Sequence, residues 1–217
     1  MRTPHTNRRA GFTLIEAMIT LTLVGVVLGS VVTIGVSGAN AFRTGTVRNG
    51  IESNARRTLD QLTRELLTAR RGSTNALPES PDWDNQLLFD RFDGVSAADG
   101  SLSWMPMRIA FQYEDGEVDD GADNDGDGLI DEGEIVLTRD WGGANPVAVT
   151  LCRNVREFAE GETLDGADEN GNQLVDERGF SLERDGDYLT IRLTVERFDA
   201  DGRLMTSSQE TSIWIRD

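Results

Sequence analysis

Three hydrophobic rhythms follow one another along the chain. The first is continuous: no residue between Ala17 and Phe42 is charged, and the apolar run from Phe12 to Val36 exceeds the roughly 20 residues a helix needs to cross the hydrocarbon of a bilayer. The second is helical. Ile51, Ala55, Leu59, Leu62, Leu66 and Ala69 recur at steps of four and three, on one stripe, while Arg56, Arg57, Asp60, Arg64 and Glu65 take the other faces. Together they predict one helix from near residue 12 to about residue 70, stopped by Gly72 and the polar Ser73-Thr74-Asn75. At ~1.5 Å per residue it is on the order of 85 Å long, too long for an ordinary globular helix. Residues 12–36 therefore read as a membrane span and residues 37–72 as an amphipathic support for a head. Gly25, Gly29, Gly35 and Gly38 weaken the first half. They either permit bending and local melting or let helices pack closely, and both readings stand.

The third rhythm alternates. Residues 73–100, with Pro78, Pro81, Gly94 and Gly100 among polar residues, read as a connector with little regular structure. Beyond it, 107–113, 134–141, 147–158, 188–198 and 204–215 are alternating or β-rich runs bounded by Gly, Asn and Asp. Asp199-Ala200-Asp201-Gly202 reads as the hairpin turn between the last two. An antiparallel sheet over residues 101–217, packed on the amphipathic half of the helix, accounts for both apolar faces and gives an α+β fold.

Composition narrows the chemistry. The 217 residues suffice for one domain and an anchor, and the formal charge of −17 argues against a nucleic-acid partner held through phosphates. Cys152 is the only cysteine, so no intramolecular disulfide forms, and its neighbours Val149, Thr150 and Leu151 place it on a strand as a buried, inert thiol. His5 is the only histidine.

Arg2, Arg8 and Arg9 precede Gly11-Phe12-Thr13-Leu14-Ile15-Glu16. The positive-inside rule keeps that end in the cytoplasm and sends everything after the span outward. A cleavable secretory signal has a shorter apolar region with small residues on its far side, whereas here the small residue lies in front. This order resembles the class III signal of type IV pilins and type II secretion pseudopilins. The resemblance implies that a prepilin peptidase cuts after Gly11, that Phe12 becomes the N-methylated first residue, and that Glu16 is the assembly glutamate. It also implies a pilin fold, with a long helix whose first half forms the filament core. Loss of residues 1–11 removes His5, and with it any imidazole for a Ser-His or Cys-His pair or for zinc.

Glu16 has a physical role of its own. A carboxylate inside a spanning helix costs about 2.5 to 3.5 kcal/mol on insertion scales, so it needs a partner or a place at the headgroups. A new amine at Phe12 lies one helical turn away, on the same chain or, as the resemblance favours, on a neighbouring subunit.

Two acidic segments repeat. Residues 120–132 read DGADNDGDGLIDE and residues 165–177 read DGADENGNQLVDE, identical at 8 of 13 positions. The first fits a calcium loop: Asp123, Asp125 and Asp127 at positions one, three and five, Gly128 at six, the Leu129 carbonyl at seven, Asp131 at nine and Glu134 at twelve. A hard cation wants six to eight oxygens at about 2.3 to 2.6 Å, and alternate residues of a tight turn converge on one point. The segment resembles EF-hand-like loops of the dockerin and thrombospondin-repeat kind, with strands in place of flanking helices and hence a structural role. The second loop offers Asp168, Asn170, Asn172, the Leu174 carbonyl and Asp176; Gln173 replaces the glycine, Gly179 occupies position twelve, and Glu177 or Asp165 would supply the missing carboxylate. The expected cofactor is Ca²⁺, one ion at 119–134 and a second, weaker one at 165–179.

The expected function is that of a structural, non-enzymatic minor subunit of a periplasmic or surface filament, resembling J-type pseudopilins or W-type minor pilins. Its partners would be prepilin peptidase, other pilins or pseudopilins, an assembly platform with its ATPase, and the bacterial inner membrane, with the head in the periplasm. A membrane-anchored calcium-dependent adhesin or binding module that uses a pilin-type anchor is the alternative, favoured if Trp83, Trp104 and Trp141 form an exposed patch. An anchored hydrolase with paired carboxylates is a third, weakened because the calcium loops take the best candidates.

Overall fold

The computed structural model describes residues 13–70, 72–74, 77–97 and 99–215. It falls into two compact units, residues 1–44 and 45–217. Gly11 and Phe12 lie outside the described residues.

The first unit is the start of helix α1 (Leu14–Leu66). Thr13 begins it: its Oγ accepts the Glu16 N–H at 3.3 Å, while Glu16 Oε2 faces the Thr13 N–H at 3.5 Å, the reciprocal pattern of a capping box. From Thr13 to Arg43 every residue is exposed, large apolar side chains included. Among the described residues this helix is the one long and apolar enough to cross a membrane. The hydroxyls of Thr20, Thr22, Ser30 and Thr33 each donate to the carbonyl four residues back, so these four bring no unmet donor into lipid. Helix α1 continues unbroken through Gly25, Gly29, Gly35 and Gly38, each with open space where a Cβ would stand.

In the second unit α1 buries the predicted stripe, Ile51, Ala55, Leu59, Leu62 and Leu66, with Thr58 between them. It ends at Leu66 and not near 70. Thr68 and Ala69 bond back only three residues, and the Arg70 N–H goes to the carbonyl of Asp90, so a sheet edge captures the chain before another turn forms.

The sheet has eight antiparallel strands: β1 (Trp83–Asp84), β2 (Gln86–Val95), β3 (Leu102–Tyr113), β4 (Gly133–Arg139), β5 (Val147–Val155), β6 (Phe180–Asp185), β7 (Tyr188–Phe198) and β8 (Leu204–Trp214). They run β1-β6-β7-β5-β4-β3-β2, with β8 along the other edge of β7. This is the α+β arrangement of one long helix and an antiparallel sheet.

Two segments differ from the sequence-based expectation. Residues 86–95, read as connector, form strand β2; Leu87 and Phe89 point into the core, but Leu88 between them is exposed, which hides the alternation, and Asp90, Arg91 and Asp93 follow. Strand β6 falls directly after the second acidic loop and was not expected; it is short and carries Glu183, Arg184 and Asp185 at its end.

One core joins helix and sheet. Leu62 and Leu66 pack with Leu87, Ile109, Ile135, Leu137, Phe180, Leu182, Ile191 and Leu193. Leu62 has no exposed surface, and Leu62→Ala is expected to destabilise the head by about 3 kcal/mol, read from urea unfolding of the full chain in detergent. Cys152 on β5 sits in the same core, and burial pushes its thiol up to about 11, so it stays protonated and unreactive at neutral pH.

Candidate functional site

The acidic segments connect strands of the head, the first between β3 and β4, the second between β5 and β6. Each is closed at its base by one backbone bond, Glu114 N–H to Glu132 C=O in the first and Ala159 N–H to Glu177 C=O in the second. These pairs are spaced 45 residues apart in sequence, as are the loops. The duplication therefore runs wider than residues 120–132. It reaches back to Glu117 and Glu162, a pair recoverable by carrying the offset three residues upstream.

The copies share one backbone. Left-handed residues recur in step: Gly121 and Gly166, Gly126 and Gly171, Gly128 and Gln173, Asp131 and Asp176. Equivalent side chains hold equivalent amides. Asp123 accepts from Gly126 and Gly128 as Asp168 does from Gly171 and Gln173. Residues 125 and 127 accept from the amides two residues on, and so do 170 and 172. Glu117 accepts from Asp125 N–H, and Glu162 from Asn170 N–H. The side chains of Leu129 and Leu174 are buried and pin each loop to the head.

Gln173 stands at φ 76° where Gly128 stands at φ 97°. A side chain in that region costs about 1 kcal/mol, so Gln173→Gly is expected to raise the thermal midpoint slightly although it adds no contact.

Several of the expected ligands are engaged by groups of the protein itself. Glu134, expected to close the first loop, belongs to β4, where it accepts from the Thr150 hydroxyl and pairs with Arg153 at 3.4 Å. Strand pairing starts at Gly133 and carries residue 134 away from the aspartates. Asp131 and Asp176 are latches, each accepting the two amides that open its loop, Asp120 and Gly121 or Asp165 and Gly166. Asp165 in turn accepts from the Ala167 N–H.

Glu132 ends the first loop, directly before Gly133 of β4. It is fully buried, and neither of its oxygens has a hydrogen-bond partner. Oxygens of Glu117, Asp125 and Glu132 lie within 4.8 Å of one another, as do those of Asp123, Asp125 and Asp127, so Asp125 belongs to both groups. Burial first, then the charges of Asp127, Glu117 and Asp125, push the Glu132 carboxyl up to about 7. Such a cluster, with one member stripped of water and left unbonded, has the composition of a hard-cation site.

A third carboxylate group, Asp119, Asp131 and Glu157, has its cation already. Arg178 pairs with Glu157, lies 3.7 Å from Asp119, donates to the Tyr113 hydroxyl at 3.0 Å and stacks on Phe158. Through Arg178 the end of the second loop is tied to the first. Burial pushes the Tyr113 phenol up to about 12.

The tryptophans are each engaged. Trp83 donates to the Val175 carbonyl of the second loop, Trp104 meets Phe92 edge to face and lies under Arg70, and Trp141 lies under Arg108.

One comparison bears on the amino-terminal segment. Residues 6–32 match the family model of the prokaryotic N-terminal methylation motif. The match supports a pilin- or pseudopilin-type substrate of prepilin peptidase, and the apolar amino-terminal helix is consistent with membrane anchoring. It stops at residue 32, ahead of the head. No curated protein and no solved structure matches the chain.

Proposed function

We propose that this protein is a minor subunit of a type II secretion pseudopilus or type IV pilus, with its head stabilised by calcium in the first acidic loop. The observation that carries the filament reading is the methylation motif followed by an exposed apolar helix with one carboxylate, Glu16, in its first turn. The chain waits in the inner membrane with its head outward, is cut after Gly11 and methylated on Phe12, and is drawn into the filament by an assembly platform and its ATPase. The helix that anchored it then lies among the helices of other pilins or pseudopilins.

The residues fit calcium. Asp123, Asp125 and Asp127 supply an oxygen cluster, and Glu132 supplies the buried carboxylate that has no other partner. A bound divalent cation neutralises the repulsion among these groups and ties the two ends of the loop together. Glu117 shapes the site while its oxygens hold the Asn124, Asp125 and Asp131 amides.

Mass spectrometry of the chain purified from its native membrane tests the processing. A chain that starts at methylated Phe12 is expected; an intact Met1 end, or a cut beyond residue 32, would overturn the reading.

A further inference from the structure

The structure assigns the two copies of the acidic loop different duties: the first binds a calcium ion, and the second keeps the same backbone without one, because two amide groups do there what the ion does in the first. This rests on the calcium reading of the first loop.

The copies share their left-handed positions, their Asx hydrogen bonds and the base-closing backbone bond, so they differ chiefly in what faces the closing glutamate. In the first loop the corresponding side chains are Asp125, with an oxygen within 4.8 Å of one on Glu132, and Asp127, whose charge acts on Glu132, and Glu132 is left with two unbonded oxygens. In the second they are Asn170 and Asn172, whose Nδ2 groups both donate to Glu177 Oε1, at 2.8 and 2.5 Å.

The amide orientation is fixed locally. Asn170 Oδ1 accepts the Asn172 N–H at 3.0 Å, and Asn172 Oδ1 accepts the Leu174 N–H at 2.8 Å. These are the bonds that Asp125 Oδ1 and Asp127 Oδ1 make in the first loop. With the oxygen held by the backbone, the other terminus of each side chain faces the glutamate. That terminus is an acceptor in aspartate and a donor in asparagine. The substitution of two Asp by two Asn thus turns a cluster that repels itself into one that bonds to itself.

Both loops carry buried glutamates, but their satisfaction differs. Glu177 and Glu162 each retain one unbonded oxygen, and each has its other oxygen hydrogen-bonded. Glu132 has neither bonded, and it stands with Glu117 and Asp125 and within reach of the Asp127 charge. The stronger demand for a cation is in the first loop. A cation in the second would have to displace two amide donors and turn both side chains against their backbone bonds.

The test is calcium stoichiometry by equilibrium dialysis, with thermal melts, on the full chain in detergent. Wild type is expected to bind one ion per chain. Asp125→Asn with Asp127→Asn is expected to lose binding at least a hundredfold while its calcium-free melting midpoint rises, because amides then face Glu132. The reciprocal Asn170→Asp with Asn172→Asp is expected to gain a second ion and to melt lower than wild type without calcium. Two ions bound by wild type, or one ion retained by the Asp125→Asn, Asp127→Asn chain, overturns the division of duties and leaves calcium binding standing. No ion bound by folded wild type overturns both.

Discussion

Glu16→Val leaves cleavage after Gly11 intact and abolishes incorporation of the chain into filaments. The peptidase acts before the carboxylate has met its partner, so processing proceeds. Assembly differs, because a carboxylate within a spanning helix costs about 2.5 to 3.5 kcal/mol until something satisfies it, and the amine exposed at Phe12 is the nearest cation the processed chain can offer. Among the described residues the Glu16 carboxylate has only the long contacts to the Thr13 N–H and hydroxyl, both at 3.5 Å. It is available for a stronger bond. Valine removes both the charge and the cap, whereas Glu16→Gln keeps a capping side chain and removes the charge. Both variants should be cut and methylated normally, and both should fall at least a hundredfold in the sheared filament fraction measured by immunoblot. Normal assembly of Glu16→Gln would show that the cap, and not the ion pair, is what the position supplies.

Removal of calcium lowers the melting temperature of the head by about 5 to 10 °C when the starting concentration is about a hundredfold above the dissociation constant. The figure follows from mass action, about 2.7 kcal/mol at that excess, and from the roughly 2 to 4 °C that each kcal/mol shifts a domain of 150 to 250 residues. Glu132 provides the sharpest variant because its two effects have opposite sign. Glu132→Gln removes a buried carboxylate that has no hydrogen-bond partner and stands among Asp125, Asp127 and Glu117, so the calcium-free protein should melt higher than wild type. The same change removes a ligand, so the calcium-dependent gain should disappear. Glu134→Gln should leave the calcium response as it is, since Glu134 is engaged with Thr150 and Arg153 on β4. Differential scanning calorimetry with and without chelator reads all three chains. A full calcium response in Glu132→Gln, or its loss in Glu134→Gln, would return the closing role to the residue at position twelve.

On the proposed calcium reading, the difference between Glu132 and Glu134 shows where a motif stops being enough. Spacing rules for helix-flanked calcium loops put the last ligand at position twelve. Here the loop is held between β3 and β4, and the ladder that pairs Tyr113 with Gly133 fixes where the loop must end. Glu132 is the last acidic residue before that ladder, so it points inward and Glu134 does not. Glu117 was hidden for a related reason. It lies before the regularly spaced aspartates, and its part in the proposed site depends on the Glu114–Glu132 backbone bond that brings it beside Asp125. The repeat, carried three residues further back, was the one signal for it.

The sequence by itself determined the elements with a strong local period: the uncharged span, the amphipathic stripe from Ile51 to Leu66, most of the long strands, and the two acidic loops as copies of one device. Those follow from side-chain periodicity and turn chemistry, which act over a few residues. Only the tertiary structure decided that residues 86–95 form a strand, that the helix ends where Asp90 captures Arg70, that Arg178 ties one loop to the other, and which carboxylates meet. Each of these depends on groups far apart in the chain, such as Arg91 beside Glu65 or Arg178 beside Asp119, and no local pattern records which distant partner will offer a hydrogen bond or an opposite charge.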